Sequence, residues 1–170
     1  METVKEKIEN AYRHLVANDG YLFEKNVNER SITHKFAEYL LAEFPNYNID
    51  CEYNKNLGDV KTMPVWETKR NELVAELERE STTEKRKEKI QKILDGEISV
   101  YPDIIVHHRG TKDNFIVIEA KKSTNTTGND QEKLELYKRA LNYQNAFFVT
   151  FLVGEDFENF NEDMIRDLIK

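Results

Sequence analysis

The stretch VYPDIIVHHRGTKDNFIVIEAKKS, Val100 to Ser123, decides the fold. It predicts two strands joined by a turn around Arg109 to Asp113, with charge placed where a buried strand should stay apolar. Asp103 follows Pro102 directly, and the apolar run Phe115 to Ile118 ends in Glu119, Ala120 and Lys121. Side chains alternate faces along a strand, so Glu119 and Lys121 point the same way, about 7 Å apart, while Ala120 points opposite. Antiparallel pairing about the turn sets Asp103 across from Glu119 or Ala120. Pairing with 119 puts Asp103 on the Glu119 face directly, whereas pairing with 120 needs a bulge. Pro102 removes one ladder donor and favours such a local opening. Asp103, Glu119 and Lys121 are therefore expected to converge at one end of a sheet.

Working outward, a first helix is predicted over about 2–18, with Val4, Ile8, Tyr12, Leu15 and Val16 in one stripe and Gly20 stopping it. A second begins near Asn26 to Asn28 and carries Ile32, Phe36, Tyr39 and Leu40 before Pro45 ends it. Asn48 to Lys55 reads as a strand, and Asn56 to Val60 as a loop around Gly58. The charge-dense segment 65–94 has only a thin apolar stripe and reads as two helices broken at Ser81 to Thr83, with Ser81 and Glu84 forming a capping box. After a loop over Ser123 to Asp130, a helix carries Leu134, Tyr137 and Leu141; Ala146 to Val153 is the most strand-like run, and a short helix is predicted over 162–169. The class is α/β (α+β): a mixed central sheet flanked by helices. Residues 1–170 form one domain, with a helical insertion at about 65–94 between the first and second core strands.

Composition sets the bounds. A chain of 170 residues fits a single domain, and although only 39% of it is hydrophobic and 34% is charged, 9 Phe and 8 Tyr supply core material, so a folded globule is expected. The single cysteine, Cys51, excludes an internal disulfide framework or a Cys-rich zinc site and fits a reducing compartment. METVKEKIEN has no apolar core of a signal peptide, and no stretch approaches the roughly 18 apolar residues of a membrane span. A cytoplasmic protein without a membrane partner is expected. The net charge of −7 opposes binding to a polyanion by bulk electrostatics, so any such partner must be met by a local basic surface or through metal ions.

Two carboxylates and an ammonium at the end of a buried sheet cost stability unless something binds there. Hard oxygen ligands at this spacing suit Mg²⁺, with Mn²⁺ as a substitute, and leave positions for water and a substrate phosphate. Such a cation would polarise a phosphodiester and lower the pKa of a bound water, while Lys121 positions or deprotonates that water or neutralises developing charge.

In Pro102 and Asp103, then Glu119, Ala120 and Lys121, the chain resembles the PD-(D/E)XK, or restriction-endonuclease-like, nuclease superfamily. The resemblance reaches Glu29, since members often place a glutamate on the helix before the first strand. It also reaches the helix Asp130 to Leu141, which in several branches carries Gln-x-x-x-Tyr; here Lys133 and Tyr137 take that spacing and the glutamine is replaced. Topologically it spans about Asn26 to Val153. It implies a restriction-endonuclease-like core and Mg²⁺-dependent hydrolysis of DNA, usually leaving a 5′-phosphate, with an endonuclease the leading form and RNA an alternative substrate. Asp103, Glu119 and the Ala120 carbonyl would be metal ligands, Lys121 the catalytic lysine and Glu29 an auxiliary acid. Lys133, Lys122 and Tyr137 would be substrate-side residues. With little chain outside the core, specificity is expected from loops, the helical arm, a homodimer or a partner protein.

Blander readings stand beside each of these. Asp103, Glu119 and Lys121 could form an exposed strand-end salt bridge. Asn26 with Glu29 three on is itself a capping box. A solvated helix lysine is the preferred reading of Lys133, and surface positions near the turn are preferred for His107 and His108. His34 lies about 140° round its helix from Glu29, which argues against joint metal binding. Cys51 reads as a small buried side chain and Glu84 to Lys89 as a solvated helix face. The rival for the whole chain is an inactive nuclease-like fold that binds nucleic acid or protein through the 65–94 arm.

Overall fold

The computed structural model describes residues 2–125 and 130–170, the side chain of Asp130 excepted. Helix α1 (Val4–Asp19) is opened by a reciprocal capping box, Thr3 accepting from the Glu6 amide while Glu6 reaches back to the Thr3 amide. A single turn, α2 (Tyr21–Glu24), leads to α3 (Glu29–Glu43). Its cap is Asn28, which accepts from the Ser31 amide at 2.9 Å; the box expected from Asn26 does not form, because Asn26 lies outside the helix with φ +47°. Strand β1 (Asn48–Cys51) follows. Where the sequence suggests a plain loop, β2 (Lys55–Asn56) and β3 (Asp59–Val60) make a tight hairpin whose corner, Leu57 and Gly58, has positive φ at both positions, as a two-residue turn of this hand requires.

Then come β4 (Thr62–Pro64), α4 (Glu67–Leu77), α5 (Glu84–Leu94) and β5 (Glu97–Ser99). β4 and β5 pair as an antiparallel ribbon, so the two helices expected over 65–94 stand on a two-stranded base. Thr83, not Ser81, caps α5 by accepting from the Arg86 amide, and Arg86 pairs with Glu76 to join the two helices. The chain re-enters the sheet as β6 (Ile104–His107) and β7 (Asn114–Lys122), crosses through α6 (Asp130–Leu141) to β8 (Asn145–Phe151), and finishes with α7 (Glu155–Glu158), a 3₁₀ turn and α8 (Ile165–Leu168). Of the loop expected over Ser123 to Asp130, residues 126–129 lie outside the described residues.

The main sheet has the order β1-β6-β7-β8, antiparallel at the first two junctions and parallel at the third. A parallel pair needs a crossover, and α6 supplies it. Alternation along the strands feeds two cores. Ile104, Val106, Ile116, Ile118 and Ala120 pack with Tyr12, Leu15, Ile32 and Phe36 of α1 and α3. Ile105 and Val117 face Leu134, Tyr137 and Leu141 of α6, joined by Met63 and Val100 from the ribbon. Each such side chain, fully buried, contributes roughly 1.5–3 kcal/mol, so both faces clamp the ends of β6 and β7 in a fixed relation. The architecture is mixed α/β with a four-stranded mixed sheet. Among the described residues no helix is long and apolar enough to cross a membrane.

One expectation about the turn is corrected. His107 is buried: β1 sets Asp50 opposite Ile105, on the same face as His107 two residues on, and the ring Nε2 meets Asp50 Oδ2 at 2.8 Å. His108 remains partly exposed, held between Asp113 and the Asn46 carbonyl.

Candidate active site

The register Ile104↔Ile118, continued one step, sets Asp103 opposite Glu119. The one irregularity in this ladder sits at the far end, so no bulge is needed here. Pro102 cannot donate to a ladder and β6 ends short of it; the side chain of Asp103 replaces the missing backbone bond, its Oδ2 accepting from the Ala120 amide at 2.8 Å. The N–H and C=O of one residue leave an extended strand on the same side, so the Ala120 carbonyl is turned toward Asp103 as well.

Glu119 points into the opposite core and is 2% exposed. Its Oε2 lies 2.6 Å from Lys133 Nζ and its Oε1 accepts from the Tyr137 hydroxyl at 2.9 Å. Lys133 is thus no solvated lysine: four residues before Tyr137 on α6, it shares the inward face, and its ammonium lies 5.8 Å from the Trp66 ring centre and 5.6 Å from that of Tyr137. Burial pushes the Glu119 carboxyl up to about 7, against the pull of Lys133 and with a further push from the charge of Asp103. Burial also raises Asp103; the Ala120 amide, Lys133 and Lys121 hold it down while Glu29 adds to the rise. The two acids sense each other and the same lysine.

Lys121 and Glu29 complete the cluster. Lys121 Nζ stands 3.8 Å from Glu29 Oε1, with a third of its side chain exposed. Glu29, the first residue of α3, sits over the end of β7 rather than in the core stripe: its Oε2 accepts from the Lys122 amide at 2.9 Å and from Asn125 Nδ2 at 2.6 Å. The ammonium of Lys122 is committed to Asn26 Oδ1 and the Val27 carbonyl, which ties it to the loop before α3. A cavity of about 140 Å³ opens beside the cluster, with Glu29, Thr33, His34, Cys51 and Asp103 in its wall. Burial and the neighbouring Asp50, Asp103 and Glu52 push the Cys51 thiol up to about 11, which favours its protonated form at neutral pH.

Among the described residues no three His, Cys, Asp or Glu side chains gather as a metal-binding group. Mg²⁺ does not require that, since it commonly takes one or two carboxylates and completes its shell with water and phosphate. The donors at hand, the Asp103 and Glu119 carboxylates and the Ala120 carbonyl, are all hard oxygens, and the two acids are desolvated, so their chemistry fits such an ion. Of the residues singled out from sequence, Glu119 bonds to Lys133 and Tyr137, Lys121 pairs with Glu29, and Asp103 is tied to the Ala120 amide between them, while Lys122 serves the α3 loop. Sequence reasoning missed Asn125 and the tie from Lys133 to Glu119. The signal for the latter was the i,i+4 pair Lys133 and Tyr137 beside Leu134 and Leu141 on a face that has to pack inward. Comparison with protein-family models, with curated proteins and with solved structures finds no match to this chain.

Proposed function

We propose that the chain is a divalent-cation-dependent nuclease of the PD-(D/E)XK type that hydrolyses phosphodiester bonds in DNA. The observation that carries this reading is the register that sets Asp103 opposite Glu119, two positions before Lys121, at one end of β6 and β7, with Asp103 fastened to the backbone of Ala120. Asp103, Glu119 and the Ala120 carbonyl would hold Mg²⁺ or Mn²⁺, which when bound supplies Lewis-acid polarisation of the phosphate and an acidified water. The chain's own residues do the rest. Lys121, partly exposed beside Glu29, presents an ammonium to the phosphate and neutralises charge as it develops there. Glu29 holds the Lys122 amide at 2.9 Å and stands 3.8 Å from the Lys121 ammonium, where its charge would favour the lysine's place beside the phosphate. The cavity bounded by α3 and the end of β1 gives the scissile group a way in.

One observation favours a second reading. Both Glu119 oxygens already have partners, as an inactive fold that has turned its acid into a structural pin would show. Purified protein incubated with plasmid DNA and Mg²⁺ or Mn²⁺, with and without chelator, separates the two. Metal-dependent nicking that Lys121→Ala abolishes with folding retained supports the nuclease. Absence of cleavage on duplex, single-stranded and branched DNA favours a binding module, and preferential cleavage of an RNA competitor moves the substrate to RNA.

A further inference from the structure

Lys133 occupies a place that a solvated lysine has no reason to take. Its ammonium is 2.6 Å from Glu119 Oε2, only 18% of its side chain is exposed, and its charge also lowers the proton affinity of Asp103. It therefore balances both acids of the cluster at once. An ammonium in contact with one of the two carboxylates that would receive a divalent cation is in direct competition with it, since both seek the same oxygen and repel each other in a water-poor site. Tyr137 makes that competition reversible, because its hydroxyl holds Glu119 Oε1 at 2.9 Å and keeps the carboxylate in place whichever cation has the other oxygen. The rings of Trp66 and Tyr137 already face the ammonium, their centres 5.8 and 5.6 Å away, and are contacts that do not depend on the Glu119 oxygen.

We infer that Lys133 is the resident counter-ion of the carboxylate pair: it holds Glu119 while the site carries no divalent cation, yields that oxygen when one binds, and thereby sets the affinity of the site. The inference rests on the nuclease reading above and deepens it. A purely structural ion pair has the same geometry but a different consequence, for it would leave cation affinity unchanged when neutralised.

Calorimetric titration of the DNA-free protein with Mn²⁺ separates these cases, using the native chain, Lys133→Gln, Lys133→Arg and each combined with Asp103→Asn. Lys133→Gln is expected to bind Mn²⁺ about tenfold more tightly, equivalent to about 1.4 kcal/mol. Lys133→Arg keeps the competing charge and stays near native affinity, and Asp103→Asn abolishes binding in every background. Should Lys133→Gln unfold too readily for calorimetry, the Mn²⁺-induced rise in Tm replaces it and is larger in the variant than in the native chain. Asp103-dependent binding that Lys133→Gln leaves unchanged or weakens overturns the counter-ion role and leaves the nuclease reading standing. Absence of Asp103-dependent binding in all proteins removes the cation site and that reading with it.

Discussion

Asp103 Oδ2 accepts the Ala120 amide at 2.8 Å, so the acid that follows Pro102 is fastened to the residue that separates Glu119 from Lys121. A side chain here completes a sheet ladder and presents a charge at the same point. The two roles separate by substitution. Asp103→Asn keeps an acceptor for the amide and is expected to change stability by less than about 1 kcal/mol, whereas Asp103→Ala leaves that amide unpaired and costs roughly 1–3 kcal/mol. Both remove the charge, so under the nuclease proposal both are expected to abolish metal-dependent cleavage. Chemical denaturation beside plasmid nicking checks this, and an active Asp103→Asn would refute the ligand role.

Lys121 should behave in the opposite way. Its ion pair with Glu29 is long at 3.8 Å and partly exposed, and such pairs are worth about 0–1 kcal/mol. Lys121→Met should therefore leave the denaturation midpoint almost unmoved while lowering the cleavage rate by about 10²–10⁴-fold, the usual scale of a positioned acid–base or charge-neutralising group. Equal losses of stability and rate would reassign Lys121 to the scaffold.

Glu29 links α3 to the end of β7 through two donors, the Lys122 amide and Asn125 Nδ2. Glu29→Ala strands the backbone donor and is expected to cost about 1–3 kcal/mol; Glu29→Gln restores an acceptor and most of that stability. If Glu29 also steadies Lys121 electrostatically, the glutamine variant recovers the fold but not the full rate. Recovery of both by glutamine would confine Glu29 to anchoring.

Legibility in the sequence followed range. The hairpin of β6 and β7 was readable because its two apolar runs, its turn and Pro102 lie within one short segment; the sequence left Asp103 opposite Glu119 or Ala120, and the register decides for Glu119. Helices α1, α3, α4, α5 and α6 announced themselves through stripes, but their caps shifted to Asn28 and Thr83, since neighbouring Asn, Ser and Thr residues compete for one N-cap on the path of the incoming chain. The β2–β3 hairpin and the β4–β5 ribbon were invisible: strands of two or three residues are too short to show a period, and the ribbon partners Met63 and Ile98 are joined across the whole arm. Lys133 and His107 were misjudged for a related reason. Each polar side chain is held by an acid elsewhere in the chain, Glu119 or Asp50; the i,i+4 spacing of Lys133 and Tyr137 marks an inward face but does not name the acid it meets.

Burial of His107 has a consequence for pH dependence. Desolvation pulls its imidazole below the usual value of 6.5, against the pull of Asp50 and with help from the positive charges of Lys61 and Arg109. The unfolded chain therefore takes up the proton first on acidification. The contribution of His107 is fully present above 6.5 and is lost as pH falls through its lower folded value. Glu119 slopes the other way, its raised value favouring the folded state as pH falls through about 7, and the raised Asp103 carboxyl acts in the same direction. His107→Gln retains a donor toward Asp50 and removes only the first slope. Its stability relative to the native chain should improve between about pH 7 and pH 5, read from paired urea melts; parallel pH profiles would contradict a neutral buried imidazole.

The arm is fastened to the site helix by a cap supplied from a distance. Trp66 stands at the N-cap of α4 without a side-chain hydrogen bond of its own, and Glu132 of α6 fills the gap, accepting from the Glu67 amide at 2.6 Å and more distantly from Thr68. A carboxylate at a helix N-terminus satisfies otherwise orphaned amides and complements the helix dipole, together worth about 1 kcal/mol. Glu132 precedes Lys133, so the residue that docks the arm and the one that holds Glu119 are adjacent on α6. Glu132→Ala should then raise amide hydrogen exchange in the first turn of α4 by roughly fivefold, the equivalent of about 1 kcal/mol in local opening, while β6 and β7 keep native protection. Uniform acceleration across arm and sheet would mean that the arm is part of the same cooperative unit and that Glu132 is not its separate latch.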